Sequence, residues 1–258
     1  MDIDESKLTA LVERVVRELA PAQQSGVRPQ NGEGVFEKMD DAVRAAADAQ
    51  RVYMDCQLAD RRRFVAAIRD VALKPENLEH MATATVEETG MGRVDDKIQK
   101  NRLAAEGTPG VEDLITEAWS GDDGLTTVEY SPFGVIGAIT PTTNPTETVI
   151  CNAIGMLAAG NSVVFSPHPR AKKISLWLIR EINRALAAAG APPNLVVSVA
   201  EPSLEETTVL LEHPSVQMLV ATGGPAIVRK VMATGKKAIG AGAGNPPVVV
   251  DTSADLVQ

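Results

Sequence analysis

The chain has 258 residues, of which 44% are hydrophobic and 23% charged, and its formal net charge is −9. That length allows one large domain or two small ones around a sizeable core. The acidic balance argues against nucleic acid or an anionic membrane as a partner, no apolar run is long enough to span a bilayer, and an acidic, amphipathic start is not a secretory signal.

Aromatic residues make up only 3% of the chain, so the core must be built from Val, Ile, Leu and Ala. That suits helices packed on a parallel sheet. The two cysteines, Cys56 and Cys151, are too few and too far apart for a disulfide framework or a metal site. No metal is expected, and the simplest compartment is a reducing cytoplasm.

In chain order, residues 1–19 form a unit of their own. Leu8, Leu11, Val12, Val15, Val16 and Leu19 recur at helical spacing, with charged residues on the other face. Residues 20–34 have no periodicity and carry Pro21, Pro29, Gly26, Gly32 and Gly34, which reads as a flexible linker. A helix this short is marginal alone, so it either packs back on the body or docks to another surface. The main domain spans 35–258. Its first, helical half covers 35–110, with helices at Lys38–Asp55, Ala59–Leu73, Pro75–Glu88 and Arg93–Glu106. Pro75 sits at a helix start, where its missing N–H is harmless.

The pattern changes at Thr108-Pro109-Gly110. Over 125–258, β-rich runs alternate with helical ones. The runs are Thr126–Tyr130, Val135–Thr140, Ser162–Phe165, Leu195–Val199, Gln217–Val220, Ala238–Ile239 and Pro247–Val250. Helices are expected near 146–159, 170–189, 203–213 and 225–234, with Ser203 and Glu206 as a capping box. The fold class is α/β, a Rossmann-like parallel sheet covered on both faces and preceded by a helical segment.

In such a sheet, ligands bind at the carboxyl ends of the strands. Four loops there stand out. In the first, Thr140-Pro141-Thr142-Thr143-Asn144-Pro145-Thr146-Glu147, Asn144 can cap the next helix, with Pro145 at N1 and Glu147 reaching back. The same amide beside free backbone N–H groups is also a donor set for an oxyanion. In the second, Ser166-Pro167-His168-Pro169, two prolines fix a strand exit, and a lone histidine is more often structural than catalytic. The third, Ala221-Thr222-Gly223-Gly224-Pro225, lets a ligand approach the backbone at a helix N-terminus, although a tight strand–helix turn explains it too. The fourth, Gly240-Ala241-Gly242-Ala243-Gly244-Asn245-Pro246-Pro247, leads into a predicted strand and not a helix, so it is no dinucleotide fingerprint.

Together these motifs resemble the aldehyde dehydrogenase family. TPTTNPTET at 140–148, AAGNSVVFSPHP at 158–169, ATGGP at 221–225 and IGAGAGNPPVVVD at 239–251 carry the likeness. They are most similar to its CoA-acylating branch, the propionaldehyde and acetaldehyde dehydrogenases of bacterial microcompartments. Tyr130-Ser131-Pro132-Phe133 and Ala200-Glu201-Pro202 lean toward the propionaldehyde enzymes. The resemblance runs from about Val35 to the last residue.

It implies oxidation of a small aldehyde with NAD and coenzyme A through a cysteine thioester. It places Thr140, Pro141, Thr222, Gly223 and Gly224 at the nicotinamide cofactor, and Ser166, Pro167 and His168 near its adenosine. It puts the oxyanion amide in 140–145, with Asn144 or Thr143 as donor. Hydrolytic relatives carry a glutamate base where Gly240 stands and a ribose-binding lysine where Ser166 stands. A coenzyme A thiol ionises more readily than water and needs less help from a base. Cys151 reads as core and Cys56 ends a helix, so the resemblance implies that the nucleophilic cysteine and the catalytic domain lie beyond Gln258, leaving the isolated chain inactive. It also implies that residues 1–19 dock to a microcompartment shell protein, and that the enzyme is a homo-oligomer at full length. The competing reading is a non-catalytic nucleotide-binding or shell-adapter protein.

Overall fold

The computed structural model of the chain describes residues 33–242, 244 and 246–255. The amphipathic helix expected at 1–19 lies outside the described residues, as does the predicted linker up to residue 32. Its last two positions are held to the body. The Arg184 guanidinium donates to both carboxylate oxygens of Glu33 at 2.7 and 2.9 Å, and the Gly34 carbonyl accepts from the Ser198 N–H at 2.8 Å. Gly34 has a φ of +79°, and a Cβ there would stand 2.6 Å from the Val196 carbonyl oxygen. Only glycine fits this entry to the sheet.

A short strand, β1 (Val35–Phe36), leads into four helices: α1 (Met39–Tyr53), α2 (Leu58–Leu73), α3 (Pro75–Thr89) and α4 (Val94–Gly107). A hairpin follows, β2 (Glu117–Gly121) with β3 (Gly124–Val128). The chain then alternates through β4 (Val135–Ile139), α5 (Pro145–Ala158), β5 (Ser162–Ser166), α6 (Lys172–Ala188), β6 (Val196–Val199), α7 (Leu204–Glu212), β7 (Val216–Thr222), α8 (Pro225–Met232) and β8 (Lys237–Ala241). Among the described residues no helix is long and apolar enough to cross a membrane.

Six strands form one sheet in the order β1-β6-β5-β4-β7-β8, and every pairing is parallel. From β4 the chain steps outward through β5 to β6, then returns through α7 to β7 on the other side of β4. The order therefore reverses beside β4, and a crevice opens there at the carboxyl ends. The central strands are buried on both faces, which explains their nearly continuous apolar sequences. Ile136, Ala138, Val163 and Phe165 pack toward one helix layer, while Val135, Ile139, Val164 and Val197 pack toward the other. Each such Val, Ile or Phe side chain contributes about 1.5–3 kcal/mol by leaving water.

Two expected strands differ. The run Thr126–Tyr130 is not in the parallel sheet. Its first half belongs to β3, which pairs antiparallel with β2, a strand the sequence pattern did not reveal. Both strands of this hairpin are exposed along their whole length, so no burial pattern marks them. Pro247–Val250 forms no strand, and Val248 and Val249 are 83% and 92% exposed. Its apolar residues have no neighbouring strand to pair with among the described residues.

The capping box at α7 is only half made. Ser203 Oγ accepts from the Glu206 N–H at 3.1 Å, but the Glu206 carboxylate accepts from the Met39 N–H at 2.6 Å. It thus satisfies a free donor at the start of α1, whose own N-cap residue, Lys38, makes no side-chain cap bond.

Asn161 ties the α5–β5 turn together. Its Oδ1 accepts from the N–H groups of Phe133 and Gly134 at 2.7 and 3.0 Å, and its Nδ2 donates to the Met156 carbonyl at 3.2 Å. The residue is buried. Asn161→Ala should therefore cost about 2–4 kcal/mol, since each orphaned buried partner costs about 1–3 kcal/mol. A urea unfolding midpoint unchanged from the parent would contradict this.

Candidate functional site

A cavity of about 980 Å³ lies at the switch point, over the carboxyl ends of β4, β5, β7 and β8. Its volume is in the range of small-molecule and cofactor sites. Every site residue expected from the sequence lines it: Thr140, Pro141, Asn144, Ser166, Pro167, His168, Thr222, Gly223 and Gly224. Sequence reasoning missed Met91, Pro202, Ser203, Leu204 and Thr207, which complete its walls. Met91 comes from the loop after α3, which no strand-end pattern marks, whereas the others follow the carboxyl end of β6, a strand end where the sequence pattern marks only the helix cap at Ser203. Among the described residues, none that lines it carries a carboxylate.

The N-termini of α5, α7 and α8 all open on the cavity, through Asn144, Ser203 and Gly224. Free N–H groups at helix starts favour an anionic group such as a phosphate. Thr140 and Thr222 lie at the ends of β4 and β7, and each has a buried hydroxyl with no partner among the described residues. Such groups are costly unless something completes them. Beside them a Cβ at Gly224 would meet nothing within 4 Å, so the backbone there is open to a ligand. These features fit a dinucleotide, with orphaned hydroxyls for its polar groups and helix starts for its phosphates.

At the end of β5, Ser166 is buried and shares a hydrogen bond with Thr207 Oγ1 at 2.9 Å. His168 is exposed at the rim. Its Nδ1 accepts from the Arg170 N–H at 3.1 Å, which leaves the proton on Nε2. Partial burial of the ring, and then the nearby Arg170, lower its pKa from the ordinary histidine value, which favours the uncharged imidazole.

The 140–147 loop differs from the expected cap. Asn144 precedes α5, but its side chain makes no cap bond, and Glu147 does not reach back. Both turn instead to Lys97 of α4. The Lys97 ammonium donates to Asn144 Oδ1 at 3.3 Å, to Glu147 Oε1 at 3.1 Å and to the Thr143 carbonyl. Lys97 is only 2% exposed. From the solvent side, Lys100 Nζ donates to the same Asn144 Oδ1 at 3.1 Å. The Asn144 Nδ2 has no acceptor among the described residues.

Gly240 lies in β8 and does not line the cavity. A Cβ there would stand 2.7 Å from Val228 Cγ1 of α8, so this glycine has a packing reason of its own. Beyond it, Ala241, Gly242 and Gly244 do line the cavity, while Ala243 and Asn245 lie outside the described residues. Neither cysteine lines the cavity. Cys151 lies in α5, packed against the core, with its Sγ 3.1 Å from Thr108 Oγ1. Cys56 follows α1, and burial pushes its thiol pKa up, which disfavours the reactive thiolate. Among the described residues, no group of three or more His, Cys, Asp or Glu side chains could hold a metal ion.

The sequence pattern of the aldehyde dehydrogenase family matches residues 13–258. A propanal dehydrogenase (CoA-propanoylating) of Salmonella typhimurium is 49% identical over 254 residues, covering 98% of this chain and 54% of the relative. The chain thus spans about half the length of the curated relatives it matches. A Rhodopseudomonas palustris propionaldehyde dehydrogenase, solved with bound propionyl-CoA, is 68% identical with a TM-score of 0.83, over 86% of this chain and 49% of that one. A propionaldehyde dehydrogenase from the fucose utilisation bacterial microcompartment of Clostridium phytofermentans is 52% identical with a TM-score of 0.81, over 86% of this chain and 51% of that one. Sequence pattern, parallel-sheet topology and solved neighbours agree, and the chain belongs to the aldehyde dehydrogenase family.

Proposed function

We propose that this chain is the nucleotide-binding part of a CoA-acylating aldehyde dehydrogenase, which oxidises propionaldehyde, or acetaldehyde, with NAD and coenzyme A to acyl-CoA and NADH. The observation that carries the reading is the cavity at the switch point, with its orphaned Thr140 and Thr222 hydroxyls and three helix N-termini. The CoA-propanoylating relative supports the choice of acyl acceptor and of aldehyde.

Bound NAD would supply the hydride acceptor. On this reading Thr140, Pro141, Thr222, Gly223 and Gly224 hold its nicotinamide side and the phosphates. Ser166, Pro167 and His168 bound its adenosine, with the neutral His168 offering an Nε2–H donor. Asn144 Nδ2 donates to the aldehyde oxygen as negative charge builds there. The neutral, carboxylate-free wall suits two anionic ligands, NAD and coenzyme A.

Two measurements test this. The purified 258-residue chain should bind NADH, read by enhanced nucleotide fluorescence, yet form none from propionaldehyde, because neither cysteine reaches the cavity. The longest reading frame containing this segment should form NADH only when coenzyme A and aldehyde are both present. Nucleotide binding without turnover there would favour a non-catalytic adapter instead. Failure to bind nucleotide at all would sink the dehydrogenase reading and leave only a shell adapter that binds no nucleotide.

The domain plan is part of the proposal: residues 1–19 as a targeting helix, 20–34 as a linker, and 35–258 as the NAD-binding domain. The microcompartment neighbour supports a shell protein as partner of the helix, and a location inside such a compartment in the cytoplasm. Deleting 1–19 should abolish co-purification with shells while leaving turnover within about twofold, since the described site uses none of these residues. Retained encapsulation would end the targeting reading. Exposed apolar residues on the β2–β3 hairpin, including Trp119 and Leu125, support self-association at full length.

A further inference from the structure

We propose that Lys97 is a positioning residue for the oxidation step: it fixes which way the Asn144 amide faces. The inference rests on the reading of Asn144 as oxyanion donor and assigns a role to a residue outside the cavity wall.

A carboxamide has two ends that differ in chemistry. The oxygen accepts and the nitrogen donates, and rotation by half a turn exchanges them. An amide that is to stabilise an oxyanion must present its nitrogen to the cavity. Free in solution, both orientations are open. Here two ammonium groups fix the choice. Lys97 Nζ lies 3.3 Å and Lys100 Nζ 3.1 Å from Asn144 Oδ1. A flipped amide would place its NH₂ against two cations. The NH₂ group is therefore turned away from the lysines, and Asn144 borders the cavity. Donation to the oxygen also polarises the amide, which strengthens its N–H groups as donors.

Lys97 is the anchored member of the pair. Its ammonium has three protons and three acceptors around it: Asn144 Oδ1, Glu147 Oε1 and the Thr143 carbonyl. It is 2% exposed, whereas its bond partner Glu147 is 8% exposed. Its stem is covered as well: a Cβ at Gly92, whose φ is +87°, would stand 3.0 Å from Lys97 Cε. By gripping the Thr143 carbonyl, Lys97 also sets the backbone that carries the amide. An ammonium held this way cannot wander as a surface lysine does. Lys100 is exposed and adds to the field without fixing the geometry.

The experiment uses the longest reading frame that contains this segment, assayed with propionaldehyde, NAD and coenzyme A. Lys97→Met is paired with Glu147→Gln so that no lone buried charge remains. Asn144→Ala should lower kcat by about 100–1,000-fold, as removal of one oxyanion donor does. Lys97→Met/Glu147→Gln should lower kcat by about 10–100-fold through misplacement of the amide, with KM for NAD within about twofold. The triple variant should be no slower than Asn144→Ala alone, because the lysine has nothing left to position. If losses multiply in the triple variant, or the Lys97→Met/Glu147→Gln variant keeps kcat within twofold, the positioning role is overturned while Asn144 keeps its own. If Asn144→Ala itself leaves kcat unchanged, the donor reading fails, and this inference with it. Should the paired variant not fold, Lys97→Arg keeps the charge opposite Glu147 but lacks the compact three-donor head. It should lose about tenfold in kcat in the Asn144 parent and nothing further in Asn144→Ala. Wild-type kcat in Lys97→Arg would overturn the proposal.

Discussion

Asn144→Ala in the longest reading frame that contains this segment is expected to slow aldehyde oxidation by about 100–1,000-fold, which corresponds to about 2.7–4 kcal/mol of lost transition-state stabilisation. The reasoning is geometric. Asn144 borders the cavity at the start of α5, its Oδ1 is engaged by two lysines, and its Nδ2 has no acceptor among the described residues. On the proposed reading this amide nitrogen donates to the aldehyde oxygen as negative charge develops there. The loss should fall on kcat, because the aldehyde carbonyl becomes a strong acceptor only as charge develops on it. NADH binding should stay within about twofold, since the Asn144 side chain bonds only Lys97 and Lys100 among the described residues and touches neither orphaned hydroxyl, Thr140 or Thr222. A matching rise in KM with kcat untouched would show that Asn144 binds substrate only. Thr143→Ala is the control for the neighbouring candidate: its side chain is exposed and its carbonyl, not its hydroxyl, is held by Lys97. Substitution there should change kcat by less than about fivefold, well short of the value of an oxyanion donor.

Lys97→Met alone should destabilise the fold by about 3–5 kcal/mol, since removing one partner leaves a buried charge without compensation. The Lys97 and Glu147 side chains are only 3% and 10% exposed, so water does not screen the orphan. For a chain of this size the melting temperature should drop by about 6–20 °C. Glu147→Gln, added to Lys97→Met, should restore more than half of the loss, because an uncharged amide can still accept from Thr146 Oγ1, now 3.2 Å from Glu147 Oε2. Thermal melts of the 258-residue chain and the two variants would decide. Equal melting points for the single and paired variants would mean that the pair contributes packing and no charge complementarity.

Much of the fold was legible because its signals are local. The apolar spacing of α1 and α2, Pro75 at the start of α3 and the short apolar runs of β4 and β5 each need only a window of neighbours. The strand-end loops were legible for the same reason: Thr140, Ser166 and Thr222 each close an apolar run, and topology brings such ends together. What was not legible depends on partners far along the chain. The pattern Asn144-Pro145-Thr146-Glu147 is a good local cap, but a lysine 50 positions before Glu147 takes its carboxylate. Glu206 is diverted from Ser203 in the same way. The β2–β3 hairpin was hidden for a different reason, since exposed strands carry no alternation. Pro247–Val250 has strand composition without a strand to pair with among the described residues, and β propensity alone does not make a sheet.

The bond between Glu206 and the Met39 N–H has a consequence in time. It joins positions 167 residues apart. At a synthesis rate of about 5–20 residues per second, the start of α1 is made roughly 8–33 s before the carboxylate that caps it exists. Gln50 waits as well, because its amide bonds Gly160 and Ser162, more than a hundred positions later. The first helix of the body is thus completed late in synthesis. A ribosome stalled before codon 206 should carry an α1 that exchanges its amide protons freely, and release past that point should protect them.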